Sequence, residues 1–350
     1  MILKSQTMDI KKIQLKDMYM KRILLSVMAV AALAAAPISV YAVAANTVEV
    51  VFSGTTATVT IADNISSYVT CSSGTSSHVV LVQSDTFAGV DATIDNEDGE
   101  IIYSLSGSST DGQFYMEGSY KCTVELNGLT LTNTSGPAIC IMNGKRVAVS
   151  AKKGTTNTLA DGANDTYKGC FHCKGHTKFK GKGTLTVIGN VAHAIYSKEY
   201  VEVKNLTLNI TSAVKDAIHC QEYFLMESGS LTISSATDDG IQVELDGLTS
   251  TGMTTDHVDE DSGNFYQDGG TLTINSWGGK AIKTDGTITN DGGTWSGFTT
   301  SDISENNATT GINIVTKENQ TTTIYNLQGM QVAAPEKGVY IMNGKKVTRR

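Results

Sequence analysis

The stretch GTLTVIGNVAHAI at 183–195 is followed by LTLNITSAVKDAI at 206–218 and GSLTISSATDDGI at 229–241. Leu185, Leu208 and Leu231 in these copies are 23 residues apart. A polar residue followed by Ala-Ile or Gly-Ile comes after each leucine at the same interval. Repeats with a period of roughly 20–50 residues are typical of architectures in which each unit buries its apolar face against the next.

Further copies extend the repeat in both directions. A fourth copy places Leu272 41 residues after Leu231, which is one period plus an insertion of 18 residues. Earlier copies lie at 129–139 and, after a longer loop, at 169–171. The insertion contains clustered acidic side chains that are either a solvated loop or additional cation ligands: Asp256, Asp259, Glu260 and Asp261.

The repeated units contain short strand-like runs separated by Gly, Asn and Asp. When such units stack, they become rungs about 4.8 Å apart with parallel strands. We therefore predict an all-β chain with a right-handed, single-stranded parallel β-helix of 23-residue rungs at 43–298. A small C-terminal β tail follows it. The alternative is a β-sandwich, which also has many short strands but does not repeat at a constant interval.

The N-terminus predicts export. Lys21 and Arg22 precede an apolar run at 23–36, and small residues follow it. This is the pattern of a secretory signal peptide at 1–42, with Met20 as an alternative start. A transmembrane anchor is the other interpretation, but the run is shorter than the roughly 20 residues that a bilayer needs. We expect a secreted or cell-surface protein with no membrane span in the mature chain.

Charge and cysteine content limit the partners and crosslinks. The net charge is −8, and residues 1–42 contain six basic and two acidic residues, so the mature chain has a net charge of −12. This charge argues against nucleic acid as a partner, because its phosphates are bound by Lys and Arg. Six cysteines in an exported chain suggest disulfides. Cys173 and Cys220, however, are predicted two rungs apart, about 9.6 Å, which is too far for that bond.

The C-terminal region differs from the repeats in composition. Residues 299–310 are polar and are interpreted as a linker. Residues 311–350 are predicted to form short strands that end in a hairpin with a turn at Asn343-Gly344. This tail resembles the type IX C-terminal sorting module of exported Bacteroidetes proteins, and the resemblance implies attachment to the cell surface.

A second resemblance covers about half of the chain, from 104 to 286. It rests on the motifs LNGLTLTN at 126–133, GPAI at 136–139, TNTLADG at 156–162, DAIH at 216–219 and DGI at 239–241. Together these resemble the bacterial secreted carbohydrate-binding β-helix family. The resemblance implies a calcium-carrying, pectate-lyase-like fold that binds cellulose or polygalacturonate without established catalysis. His193 and Lys280 depart from the acidic position of the pattern.

A candidate calcium site follows from the repeat. Asp216 and Asp239 are predicted in one column on adjacent rungs, with Asp238 beside them. Carboxylates at such a distance repel one another unless a cation joins them, and calcium prefers oxygen ligands. The alternative is that these side chains accept hydrogen bonds from nearby turn N–H groups. We predict calcium as the cofactor, with both interpretations left open.

A candidate carbohydrate site lies on an outward column. Its members follow the Ile or Phe of each rung and begin at Cys140; the predicted sugar-binding residues are His172, Tyr196, His219, Gln242 and Lys283. Trp277 is added because it stands where other rungs have Asn190, Ala213 and Ala236, and an exposed indole stacks on sugar rings. The alternative is an ordinary solvated sheet face.

The favoured function is non-catalytic, calcium-supported binding of a plant cell-wall glycan such as cellulose or pectin by a monomer. A β-helix lyase or hydrolase is the first alternative, but the predicted helix has one arginine, Arg146, with Lys215 or Lys280 as substitute bases. Hydrolysis would need acid and base carboxylates, for which Asp216, Asp238 and Asp239 are the clustered trio on the rungs. No substrate clamp of the Arg-Ile-Lys kind follows them, so no catalytic residue is predicted. An adhesin or structural protein without a glycan ligand is the second alternative.

Overall fold

The computed structural model describes residues 43–87, 99–245 and 262–305, together with strands at 324–325, 338–342 and 345–349. All of them belong to the unit Val43–Arg350. The predicted signal peptide at 1–42 and the acidic cluster at 256–261 lie outside the described residues. No helix within the described ranges has the length and apolar character needed to cross a membrane.

The described fold is all-β and consists mainly of three parallel ladders. Ladder 1 contains β3 Val69–Cys71, β4 His78–Gln83, β6 Gln113–Gly118, β8 Ile139–Asn143, β11 Gly169–Cys173, β14 His193–Ser197, β17 Ile218–Cys220, β20 Ile241–Val243, β23 Ile282–Thr284 and β26 Ile303–Glu305. Its pairs are parallel apart from β3 with β4.

Ladders 2 and 3 share the long strand β7 Cys122–Thr132, whose first half pairs with ladder 2 and whose second half pairs with ladder 3. Ladder 2 continues through β9 Val147–Ala151, β12 Thr177–Gly181, β15 Val201–Lys204, β18 Tyr223–Met226, β21 Asn264–Gln267 and β24 Ile288–Asn290. Ladder 3 continues through β10 Thr156–Ala160, β13 Thr184–Gly189, β16 Leu206–Ala213, β19 Gly229–Ile233, β22 Thr271–Ile274 and β25 Thr294–Ser296.

The remaining elements lie at the two ends. At the start, β1 Thr47–Ser53, β2 Thr56–Ile61 and β5 Ile101–Ser109 join the sheet of ladders 2 and 3 at β7, and a 3-10 helix covers Asp63–Ile65. At the other end, β27 Ile324–Tyr325, β28 Gly338–Met342 and β29 Lys345–Arg349 form a separate antiparallel sheet. The β28–β29 pairing is that of the predicted hairpin.

From β8 onward the chain visits the ladders in a fixed order and returns to each one after three strands. Leu185 pairs with Leu208, Leu208 with Leu231, and Leu231 with Leu272. All four side chains are fully buried. Burial of a leucine stabilises a fold by about 2 kcal/mol, so this inward column favours one register between coils. The topology is compatible with the predicted parallel β-helix.

The parallel ladders extend beyond the predicted end of the helix at 298. Residues Thr300–Asp302 form a 3-10 helix, and Ile303–Glu305 pair in parallel with β23. The Asp302 carboxylate accepts the backbone N–H of Thr299 at 2.8 Å, which fixes this turn. The first part of the predicted linker at 299–310 therefore extends ladder 1, because a polar segment can supply an edge strand when its backbone completes a ladder.

Candidate functional site

The predicted sugar-facing column is assembled on ladder 1. Its members are paired neighbours in the order Cys140, His172, Tyr196, His219, Gln242 and Lys283. The structure thus brings five of the six predicted carbohydrate-binding residues together. Trp277, the sixth, lies in the segment between β22 and β23, where its partly buried ring packs edge-on against Phe298 with centroids 6.5 Å apart.

The aromatic part of this column is a stack rather than an open platform. Tyr196 lies between His172 and His219, with ring centroids 5.1 and 5.4 Å away and interplanar angles of 14° and 15°. Tyr196 is only 5% exposed. Because the ring faces cover one another, a sugar cannot stack on Tyr196, and the column presents ring edges and polar atoms to a ligand.

Asp216 lies at the base of the site, buried beneath the histidines. Its Oδ2 is 3.1 Å from His219 Nδ1 and 3.2 Å from His193 Nδ1. Its Oδ1 accepts the backbone N–H of Asp239 at 3.0 Å. Burial by itself would raise the pKa of Asp216, but the contacts with His193 and His219 outweigh it and hold that pKa below its ordinary value. Asp216 is therefore a fixed anion.

Gln242 and Lys283 connect this anion to the next acidic residue. With its amide nitrogen turned toward Asp216, Gln242 donates to Oδ2 at 2.8 Å and accepts from Lys283 Nζ at 3.2 Å. Lys283 Nζ also lies 3.3 Å from Asp239 Oδ2. Burial raises the pKa of Asp239, and the ammonium of Lys283 opposes this shift. The polar groups therefore form one continuous network.

An open cleft of about 560 Å³ lies over this network. Polar side chains dominate its lining: Lys168, His193, Lys215, Asp216, His219, Gln221, Thr237, Asp238, Gln242 and Glu244, with Val214 and Leu245 as the apolar members. Such a lining offers both donors and acceptors, which suits a ligand with many hydroxyl groups. Trp277 is not among the lining residues.

Several residues that line the cleft were not predicted from the sequence to bind a ligand. His193 was noted only as a departure from the acidic pattern, and Lys215 only as a possible base. Both line the cleft beside Asp216, together with Lys168 and Glu244. The repeat could have identified His193 and Lys215, because His193 occupies the polar position of its rung and Lys215 comes just before that position in the next rung. Lys168 and Glu244 lie outside the pattern and had no such signal.

The predicted calcium ligands, Asp216, Asp238 and Asp239, lie close together in the structure. One oxygen of each carboxylate lies within 4.8 Å of the other two. A Cβ at Gly279 would clash with Asp239 Oδ1 and would lie 2.8 Å from Asp238 Oδ1, so the absence of a side chain here keeps space open beside both carboxylates. Three clustered carboxylates beside an open position fit a hard cation. Lys283 is the group that a cation would displace.

The Asp side chains also make the turn contacts that were the alternative prediction. Asp216 Oδ1 binds the amide of Asp239, and Asp239 Oδ1 accepts the amide of Lys280 at 2.6 Å. Each aspartate therefore joins its own coil to the next one. These contacts use Oδ1 of each carboxylate. Oδ2 of Asp216 faces His193, His219 and Gln242, and Oδ2 of Asp239 faces Lys283.

The groups considered for lyase catalysis are dispersed. The guanidinium of Arg146 bonds to the buried carboxylate of Glu100, and Arg146 is not a cleft residue. The backbone N–H of Lys280 donates to the carboxylate of Asp239, and its ammonium lies 3.5 Å from the carbonyl of Ser301. Of the three candidate bases, Lys215 alone lines the cleft.

The structure resembles a solved structure called the polysaccharide lyase-like protein from C. thermocellum, in a gadolinium derivative. The sequence identity is 17%, the TM-score is 0.51, and the match covers 74% of this chain and 99% of that one. At this identity the likeness concerns the fold. No curated protein matches the chain.

A family model described as carbohydrate-binding domain-containing protein matches residues 88–340. The match spans most of the chain and includes ladders 1 to 3 from β5 onward. It also includes every residue of the cleft. The chain belongs to the carbohydrate-binding domain-containing protein family.

Proposed function

We propose that this chain is a non-catalytic extracellular polysaccharide-binding protein, built as a right-handed parallel β-helix of 23-residue coils. The observation that supports this function best is the polar cleft over ladder 1 in a chain of a carbohydrate-binding family. The ligand class is a plant cell-wall glycan such as cellulose or pectin. Successive coils repeat the polar column along the sheet, as an extended sugar chain requires.

Recognition would depend on hydrogen bonds, because the aromatic faces are used within the stack. At the cleft, Lys215 supplies an ammonium donor, Gln242 supplies an amide, and Asp238 and Glu244 supply acceptors. Lys283 follows Gln242 in the polar column and supplies a second ammonium next to it. Carboxylates and amides of this kind form charge-assisted or bidentate bonds with neighbouring sugar hydroxyls. The buried Asp216 holds His219 and Gln242 in place for these contacts.

Calcium would be held by Asp238 and Asp239, with Asp216 behind them. When bound, it supplies a positive charge that bridges protein carboxylates to acidic sugars or to sugar hydroxyls. Asp238 is exposed and therefore faces the ligand, whereas Asp239 is buried and fixes the site to the fold. Pectin binding would then require calcium more strongly than cellulose binding.

Export, attachment and assembly are part of the same proposal. The signal peptide would direct the chain across the inner membrane, and the C-terminal module at 311–350 would sort it to the surface. The mature protein would act as a monomer. N-terminal sequencing and the intact mass of protein recovered from the native envelope test whether 1–42 and the C-terminal module are removed.

The central experiment is a pull-down of the mature chain on insoluble cellulose, pectin, xylan and chitin, with calcium or with chelator. We expect retention on at least one plant cell-wall glycan. Lys283→Ala and Asp238→Asn should weaken it. Lys204→Ala and Asp268→Asn are matched controls on residues outside the cleft. Equal retention of all variants, or no retention on any glycan, would contradict the proposal.

The same incubations separate binding from catalysis. New reducing ends from any polysaccharide, or ultraviolet absorbance of unsaturated products from polygalacturonate, would support a lyase or hydrolase instead. Lys215→Ala would then abolish product formation, because Lys215 is the candidate base that lines the cleft. Binding without products supports the proposal, and neither binding nor products would favour the adhesin alternative.

A further inference from the structure

A second group of metal-ligating side chains lies away from the cleft, where ladder 1 leads into ladder 2. His176, Glu199 and Glu222 come from three successive coils, and one ligand atom of each lies within 4.8 Å of the other two. Glu199 and Glu222 occupy the same register, because each lies two positions before the paired residues Val201 and Phe224. None of the three lines the cleft.

Glu222 is the observation that points to a ligand. It is 7% exposed, and its buried Oε2 accepts no hydrogen bond within the described residues. His176 Nε2 lies 3.3 Å from this oxygen. Neither Glu199 nor Glu222 forms an ion pair with a lysine or arginine in the described part of the chain. Two neighbouring carboxylates, one of them buried, therefore have a single imidazole and no lysine or arginine to balance their charge, which is costly in a protein interior.

The imidazole is held in position by its neighbours. The His176 ring stacks on Tyr200 with centroids 4.4 Å apart and planes 11° apart, and Tyr200 stacks on Tyr223 in turn. Tyr200 and Tyr223 are fully buried. A ring fixed in this way keeps its Nε2 directed at Glu222, which is the kind of support that orients metal-binding histidines.

We propose that His176, Glu199 and Glu222 bind a divalent transition-metal ion of the zinc class, which links three successive coils. One imidazole nitrogen with two carboxylates suits such an ion better than calcium, which prefers an all-oxygen shell. Tetrahedral zinc with bonds of about 2.0–2.2 Å places its ligand atoms about 3.4 Å apart. The separation of His176 Nε2 and Glu222 Oε2, 3.3 Å, matches this edge.

The ion would act as a structural link rather than as part of glycan recognition. Between His176, just before β12, and Glu222, just before β18, the chain passes twice through all three ladders. An ion that binds the folded chain and not the unfolded one raises stability in proportion to the logarithm of its concentration. This inference does not rest on the proposed function, because it shares no residue with the cleft.

The test uses the mature full chain after chelator treatment. Cobalt(II) is titrated as the spectroscopic probe, zinc is then added as competitor, and bound zinc is counted by mass spectrometry. We expect one ion per chain, visible cobalt absorption and a melting temperature that rises with zinc. Glu199→Gln and Glu222→Gln should each weaken binding by about tenfold or more, and the zinc-dependent rise in melting temperature should disappear.

Glu227→Gln and Asp238→Asn are the controls. Glu227 pairs with Lys204 outside this group, and Asp238 belongs to the candidate calcium trio, so both variants should bind zinc like the parent. If the circular dichroism spectrum of Glu222→Gln differs from that of the parent, this variant has folding defects. The zinc affinity of Glu199→Gln then tests the proposal, because Glu199 is partly exposed and its substitution disturbs the fold less. Parent-like affinity in Glu199→Gln, no bound ion, or a loss seen in Asp238→Asn instead would overturn the proposal.

Discussion

Asp216 Oδ1 accepts the backbone N–H of Asp239, its equivalent one coil further along, at 3.0 Å. Asp239 repeats the contact with the amide of Lys280. Just before the strands of ladder 1 begin, a carboxylate oxygen thus accepts the inter-coil hydrogen bond that a backbone carbonyl accepts within a ladder. The same carboxylates contribute their second oxygen to the candidate site, so coil stacking and site geometry are coupled.

The first prediction concerns Asp216 itself. Asp216→Asn keeps an acceptor for the amide of Asp239 but removes the charge that both imidazole nitrogens face. We expect a loss of about 1–3 kcal/mol in the free energy of unfolding, measured with urea. Asp216→Ala should cost more, because the buried amide of Asp239 then lacks its partner. Equal costs for the two variants would show that this hydrogen bond is unimportant.

The second prediction concerns pH and His172. Burial, with the nearby charges of Lys168 and His193, lowers the pKa of His172 from 6.5 to about 4. A depressed pKa in the folded state means that this residue supports folding above pH 6.5. The contribution is lost as the pH falls from 6.5 toward 4, because the unfolded chain takes up the proton first. The loss should reach about 1–3 kcal/mol at pH 4.

His172→Phe keeps a ring in the stack and removes the titrating group. Its free energy of unfolding should therefore fall less steeply than that of the parent between pH 6.5 and 4. Urea denaturation at pH 7, 6, 5 and 4 measures both curves. Parallel curves for the two proteins would mean that His172 is protonated in the folded state as readily as in the unfolded one.

The third prediction is a stabilising substitution at Asp161. This side chain is 3% exposed; its Oδ1 accepts the amide of Asn190, but its buried Oδ2 has no hydrogen bond within the described residues. Burial raises its pKa from 3.8 to about 6. A raised pKa favours folding below pH 3.8, and this contribution is lost as the pH rises through 6. At pH 7 the ionised carboxylate therefore destabilises the fold.

Asp161→Asn should raise the free energy of unfolding at pH 7 by about 1–3 kcal/mol, because the amide keeps the acceptor and removes the charge. The gain should shrink at pH 4, where the parent side chain is largely protonated when folded. Thermal and urea unfolding at both pH values provide the measurement. A destabilised variant at pH 7 would contradict this account of Asp161.

The fourth prediction tests the proposed calcium site by removing Lys283, whose ammonium would compete with calcium for Asp239. Lys283 Nζ lies 3.3 Å from Asp239 Oδ2, where it neutralises the carboxylate that calcium would bind. Lys283→Met should raise calcium affinity about tenfold, corresponding to about 1.4 kcal/mol, in isothermal titration calorimetry. Lys204→Met, which removes a lysine from ladder 2, is the matched control. Calcium affinity that is unchanged in Lys283→Met, or raised equally in the control, argues against the site.

The sequence predicted the ladders well where the interval is regular. The register Leu185–Leu208–Leu231 followed from counting 23 residues, and His172–Tyr196–His219 followed from aligning the Phe or Ile before each of them. It did not give the position of Trp277, which packs near Phe298, or the pairing of 303–305, which continues ladder 1. Both segments lie between or beyond the repeats, where no interval determines the position of a side chain.

The second metal group shows why counting is insufficient. His176 and Glu199 are 23 residues apart, yet the residue after His176, Thr177, pairs with Val201, a step of 24. His176 is therefore level with Tyr200 and stacks on it, while its nitrogen faces the carboxylate of Glu222. A change of one residue in a coil moves a side chain to a new neighbour, and only the folded chain reveals it.

The sequence by itself determined which residues recur at each coil position, because an apolar side chain every 23 residues can be buried only by stacking the coils. From this repeat one can predict that the chain is all-β, that the leucines point inward, and which residues form the polar column. The tertiary structure decided which atoms face one another: the stacked rings around Tyr196, the oxygens of Asp216 and Asp239, and the group around Glu222. These depend on side-chain rotamers and on coil-to-coil offsets, which local sequence does not specify because they are set by packing between distant residues.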